Sequence, residues 1–518
     1  MMKYCKYPLT FFCALTASAS LLLLLAPGAA DAASAGCLNA PVINGSVTQP
    51  HVPGDSQVLS QAGFNCFGWS EFLALNWPAA APGEPAESSF QRFGEPGDTS
   101  PTVWETFMNV HGVMRPGAAP PIPWGASADV PAACRPHAEK HDGPIRALRR
   151  TTKFSIDFDA TADVQEAHPH GNPNWLADRD GNLVFYEILM NRAEYHYFVD
   201  NQFYDADKQY QAVTNGQHID FPQGVVGREP GAIEIKAAWL SVPADEADDP
   251  KWVKNYKLSE ALVYDPHNPD FCEHRTVALV GLHILHKTTT QPQWTWATFE
   301  HVNNTPDQAE VDRGNVPKDK YRFFNPDFVE EAVSPECQTY KTDTCQPLGG
   351  NTKTHKAPNT PPPYCLKLAK ERPDDFTCLP KPVQVTRVHP IPDTLINPAV
   401  SLNKWVHEQI AAQNKHSVFL NYELVSVLWS DSAVDENQPG EAVPTVPLSL
   451  SGLRPTVADL PLANTMMETY VQEKTCQDCH SNAAIAESAF DQSPTQGGDY
   501  SFIVKMAQSS STSATEKQ

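Results

Sequence analysis

Proline occupies 47 of the 518 positions and glycine only 27. Proline fixes φ, lacks an amide donor, and breaks helix interiors and central strands. A chain so punctuated is expected to form short strands joined by long ordered loops, not a helical bundle. Hydrophobic residues make up 41% and charged residues 19%, which excludes wholesale disorder. Lys and Arg number 38 against 61 Asp and Glu, a net charge of −23. Nucleic acid and anionic membrane surfaces both require a basic face, so neither is expected as the main partner.

The first 32 residues read as a signal peptide. Lys3 and Lys6 precede an apolar run from Phe11 to Ala26, and A-x-A sites follow at Ala30–Ala32 and Ala33–Ala35. Pro27 and Gly28 cut the run short of the roughly 20 residues a membrane span needs. An uncleaved anchor and a lipoprotein at Cys37 are the alternatives. The predicted location is periplasmic or secreted, in a bacterium, with no transmembrane helix after the signal is removed. Cleavage removes Lys3, Lys6 and Asp31 and leaves a charge of −24.

The cysteines agree with export. Cys5 and Cys13 leave with the leader, and two more sit in Cys476-Gln477-Asp478-Cys479-His480. Eight remain: Cys37, Cys66, Cys134, Cys272, Cys337, Cys345, Cys365 and Cys378. In an oxidising compartment they are expected to form disulfides, at least one of them within Cys337–Cys378. Connectivity stays open, with buried thiols as the alternative. A zinc site on the last four is disfavoured because none of them form a close C-x₂₋₄-C pair.

C-x-x-C-H at Cys476, Cys479 and His480 is the c-type haem attachment pattern. Two thiols at this spacing reach the two vinyl groups of one porphyrin, and the following imidazole becomes the proximal iron ligand. The composition gives roughly 0.01 chance matches per chain of this length. A C-x-x-C redox pair would follow a βαβ-type strand, and none precedes it. One covalent haem c is therefore expected, on Cys476 and Cys479, with His480 axial. The distal ligand is expected to be a methionine of the haem segment or a histidine of the body. Met467 is the named methionine. His283, His286 and His301 are the histidines, though i and i+3 in a strand face opposite ways, which separates His283 from His286.

The fold expected is a β-rich α+β one. Residues 33–460 form a large antiparallel-β body, interrupted over 337–382 by a Cys/Pro-rich excursion. Residues 461–506 form a short, mainly helical haem segment, and 507–518 a disordered tail. Strands are expected at 182–199, 232–242, 275–286 and 293–301, and helices at 69–76, 402–412 and 462–472. The haem segment is near the lower size limit for an independent core, so the body is expected to cover part of the porphyrin.

Several stretches together resemble a family of exported bacterial cytochrome c family proteins with a large N-terminal body and a C-terminal C-x-x-C-H segment. They are FGWSEFLALNWP (67–78), VWETF (103–107), GNLVFYEILMNR (181–192), IEIKAAW (233–239), GLHILHK (281–287), WTWATFEHVNNTP (294–306), FLNYELVSVLW (419–429) and LANTMMETYVQEKTCQDCH (462–480). The resemblance implies haem binding and electron transfer and names no substrate.

The function expected is that of a mono-haem cytochrome transferring single electrons in the periplasm. Its redox partner would be a protein with a basic surface, to suit the acidic charge. The alternative is a haem-dependent oxidoreductase, peroxidase-like or oxidase-like, with a substrate site in the body. A third reading makes haem mainly a folding element. No G-x-S-x-G, H-E-x-x-H, P-loop or dinucleotide fingerprint is present.

Overall fold

A computed structural model describes residues 37, 43, 47–126, 130–140, 145–149, 176–265, 268–328, 330–331, 353–354, 358–359, 384–429, 462–480 and 482–511. The expected leader and Cys337, Cys345, Cys365 and Cys378 lie outside the described residues. Mixed α and β content around one large, mostly antiparallel sheet gives the β-rich α+β class.

Eight strands build the sheet: β1 (Met108–Asn109), β2 (Arg146–Arg149), β3 (Val184–Met190), β4 (Ile233–Ser241), β5 (Leu258–Asp265), β6 (Asn268–His286), β7 (Thr295–His301) and β8 (Tyr422–Leu428). The main path runs β8-β7-β6-β4-β3-β1, every neighbour antiparallel. β5 pairs with the first half of β6, and β2 adds to β5 in parallel. β4 shows why the sheet has two occupied faces. Ile233, Ile235, Ala237 and Trp239 enter one core, while Ala238 and Leu240, on the alternate positions, enter another.

The first face is covered by helices α1 (Gln61–Leu75) and α4 (Ala399–Gln413). Ser60 caps α1 by accepting from the Gly63 amide at 3.1 Å. Every residue of α1 except Ala62 is buried, as expected for a helix that is apolar nearly all round. Gly68 permits the contact: a Cβ there would lie 2.8 Å from Val427 Cγ2. Phe72 stacks on Phe299 at 4.3 Å, and Trp69 Nε1 donates to Asn403 Oδ1 of α4 at 2.9 Å. Burial of each such aromatic stabilises by about 1.5–3 kcal/mol.

The second face carries the C-terminal segment. At one end Met190, Leu285 and Trp296 pack with Ile485, Tyr500, Ile503 and Val504. They are joined there by helices α2 (Arg192–Asn201) and α3 (Ala206–Thr214), through Tyr195, Phe198 and Ala206. At the other end Val184, Ala238, Leu240 and Val280 pack with Met466 and Met467. Between them Asn464 Nδ2 donates to Thr298 Oγ1 and to the Phe299 carbonyl, both at 3.0 Å. Thr465 bonds Glu300, which also takes a two-pronged contact from Arg387 at 3.1 Å.

Four local expectations differ from the structure. The stretch 182–199 is strand only to Met190; Asn191 then caps α2 by accepting from the Glu194 amide at 3.0 Å. Residues 462–472 make successive turns rather than a helix. Glu468 Oε2 accepts from the Asn464 amide at 2.7 Å, as a capping box would, but Asn464 and Thr465 are committed to β7 and the turn does not propagate. The 461–506 segment is correspondingly less helical than expected. Its described residues are helical only at Cys476–His480 and in a 3₁₀ turn at Val504–Met506. Nor is the tail loose from its start: Gln508 bridges Asp205, and Ser509 Oγ donates to the Asp207 carboxylate at 2.8 Å.

Among the described residues two disulfides are formed, Cys37–Cys66 and Cys134–Cys272. No helix among the described residues is long and apolar enough to cross a membrane.

Candidate functional site

Cys476, Cys479 and His480 lie on one short helix, α5 (Cys476–His480). Residues three and four apart on a helix are neighbours, so both thiols and the imidazole share one side. Both cysteines are half-buried and belong to neither disulfide. Gln477, between them, is fully buried, and neither its Oε1 nor its Nε2 has a hydrogen-bond partner among the described residues. A buried amide without partners marks a place where a polar group is missing.

The imidazole of His480 is positioned from three sides. Its Nδ1 lies 2.7 Å from the Tyr500 carbonyl oxygen. Its ring meets Trp296 edge-on at 4.6 Å and Phe502 at 5.0 Å. A carbonyl can only accept, so Nδ1 carries the proton and Nε2 presents its lone pair. Burial lowers the His480 pKa, opposed by the Tyr500 carbonyl and then by Glu234. The neutral imidazole is thus favoured, and that is the form that binds metal.

Tyr500 is held in turn by a strained loop. Asp499 and Tyr500 both have left-handed backbones, with φ of 53° and 62°. Trp294 Nε1 donates to the Asp499 carbonyl at 3.0 Å, and Asp499 Oδ2 accepts from the Phe221 amide at 2.8 Å. Lys287, fully buried, pairs with Asp499 and, at 2.8 Å, with Asp220. Nearby, burial and then mutual repulsion raise Glu194 well above the usual carboxylate range, and burial raises Glu234. The structure puts both Trp294 and Trp296 around this loop. Sequence reading missed Tyr500, Asp499 and Lys287. The Tyr500 acceptor is a backbone atom, which no residue type announces.

The expected distal residues are scattered. Met467 is fully buried among Val184, Ala238 and Leu240, whereas His480 stands on Trp296. His286 Nδ1 meets Glu71 Oε1 at 2.5 Å and its ring stacks on Phe67, on the α1 side of the sheet. His301 stacks on Tyr256 at 3.9 Å. Its Nε2 donates to the Asn255 carbonyl at 2.9 Å and its Nδ1 accepts from the Asn303 amide at 3.1 Å. His283 lies on the second face, with Nε2 3.3 Å from Glu468 Oε1.

The donor set fits a c-type haem: two thiols on one helical side, a neutral imidazole oriented by a carbonyl, and an unsatisfied buried amide beside them. No family model, no curated protein and no solved structure matches the chain.

Proposed function

We propose that the protein is an exported mono-haem c-type cytochrome that transfers single electrons, with haem c attached to Cys476 and Cys479 and His480 as proximal ligand. The observation that carries this reading is the 2.7 Å contact between His480 Nδ1 and the Tyr500 carbonyl. A metal-binding histidine characteristically donates its other ring N–H to such an acceptor, which fixes tautomer and orientation. Haem supplies a one-electron couple when bound. Cys476 and Cys479 tether it, His480 orients toward it, and Trp296 and Phe502 exclude water from the imidazole. The disulfides Cys37–Cys66 and Cys134–Cys272 support passage through an oxidising compartment.

The acidic chain suits a partner with a basic surface, steered at ionic-strength-dependent rates. The test mixes reduced protein with a basic and an acidic redox protein at rising salt, and separately with CO and peroxide. Fast reduction of the basic acceptor, slowing with salt, is expected, together with poor CO binding. Rapid CO binding with fast peroxide turnover would overturn the carrier reading and favour an oxidoreductase.

A further inference from the structure

We infer that His283 is the second axial ligand of the haem, held in place by Glu468, so that the iron is bound by two imidazoles; this rests on the function proposed above. Sheet register supplies the first argument. His283 of β6 stands opposite Lys236 of β4 and Thr298 of β7. Two residues along β6, Leu285 stands opposite Trp296, on which His480 rests. Residues two apart in a strand share a face. No register shift intervenes between His283 and Leu285, so the His283 side chain leaves the sheet on the face that carries His480.

The second argument is chain continuity. Glu468, the hydrogen-bond partner of His283, stands eight positions before Cys476. The turn it belongs to is fixed on β7 by Asn464, which donates to Thr298, the cross-strand neighbour of His283. The segment that leads into the haem motif therefore crosses the sheet beside His283.

The third argument is orientation. One ring nitrogen of His283 faces the Glu468 carboxylate, and the other makes no hydrogen bond among the described residues. A carboxylate on one nitrogen with the other left for the metal is the usual arrangement of a metal-binding histidine. Glu468 is itself fixed by the Asn464 amide at 2.7 Å. The His283 and Glu468 side chains keep 11% and 19% exposure, while Trp296 and Thr298 beside them are sealed, so the pair is less covered than its neighbours. The competing residues are otherwise engaged. His286 lies on the opposite face, both nitrogens of His301 are used by backbone, and Met467 is sealed in the other core.

The test uses the full chain matured with haem. Visible, near-infrared and electron paramagnetic resonance spectra of the ferric wild type should show low-spin iron with two imidazoles and no methionine–iron charge-transfer band. His283→Gly should lose the low-spin signal, gain CO binding in the ferrous state, and regain the low-spin signal on adding imidazole. Met467→Ala should match the wild type. A haem-bearing His283→Gly that stays low-spin, or a wild-type spectrum of the imidazole–thioether kind, overturns this ligand assignment alone. Should His283→Gly not accumulate, the wild-type spectra still decide between the two ligand sets. A chain that carries no haem at all overturns the proposed function itself.

Discussion

His480 and Tyr500, 20 residues apart, are joined by a 2.7 Å contact from imidazole Nδ1 to backbone carbonyl. The carbonyl is aimed by two consecutive left-handed residues, Asp499 and Tyr500. Such backbone persists only where surrounding contacts over-determine it. Here they come from Trp294, Phe221 and Lys287, all supplied by the body. Orientation of the imidazole is therefore a property of the whole fold and not of the five-residue motif.

Lys287→Met should expose this dependence. It leaves Asp499 buried and raised in pKa, by burial first, without its cation. Breaking a buried pair by removing one partner costs about 3–5 kcal/mol. Denaturant unfolding should show a loss of that size, and Lys287→Arg a smaller one. An unchanged midpoint in Lys287→Met would mean that the loop is held by its other contacts alone.

Gly281→Val should loosen the 462–480 segment from the sheet. A Cβ at Gly281 would sit 3.0 Å from Asn464 Oδ1 and 3.2 Å from Met466 Cβ, where the 462–467 stretch crosses β6. Overpacking of this kind costs about 1–3 kcal/mol. Limited proteolysis should cut the variant between 462 and 475 much faster than the wild type, and equal cutting rates would count against the docking contact.

Stability should fall on acidification through His301. Burial lowers its pKa to about 3 from the unfolded value of 6.5, with the Asn255 carbonyl opposing. Its contribution is complete above pH 6.5 and is lost as pH falls toward 3, because the unfolded chain takes up a proton that the folded one refuses. His301→Gln should remove about one proton from the linkage, or about 1.4 kcal/mol per pH unit between pH 6 and 4. Parallel stability–pH curves for variant and wild type would contradict this.

The two disulfides close loops of very different size, with sequence separations of 29 and 138. Chain-entropy reasoning makes loss of Cys134–Cys272 costlier than loss of Cys37–Cys66 by about 1.4 kcal/mol. Paired Cys→Ala variants, compared by denaturant unfolding, should reproduce this order, and the reverse order would show that packing outweighs loop closure.

Much of the sheet was legible because its strands alternate or run apolar: β4 and β7 begin and end close to the expected limits, whereas β6 ends where expected but starts at Asn268, seven residues before the expected 275, in the polar stretch that pairs with β5. Helices α1 and α4 were read short, since Gln61–Gly68 carries small and polar residues that tertiary packing buries anyway. Helix α3, ADKQYQAVT, was not read at all, because it is too polar to give an apolar run. At the site, Cys476, Cys479 and His480 were legible because the chemistry fixes residue type and spacing together. The acceptor at Tyr500 was not, since any residue offers a carbonyl. His283 could not be separated from His301 without the register of β6 against β7 and the contacts that engage each ring.

The most direct test of the account is the intact mass of the exported chain under denaturing conditions, from cells with working cytochrome c maturation. The expected mass is that of the polypeptide plus one haem, abolished by Cys476→Ser together with Cys479→Ser. A wild-type chain at the bare polypeptide mass, with Cys476 and Cys479 both alkylated, would contradict it.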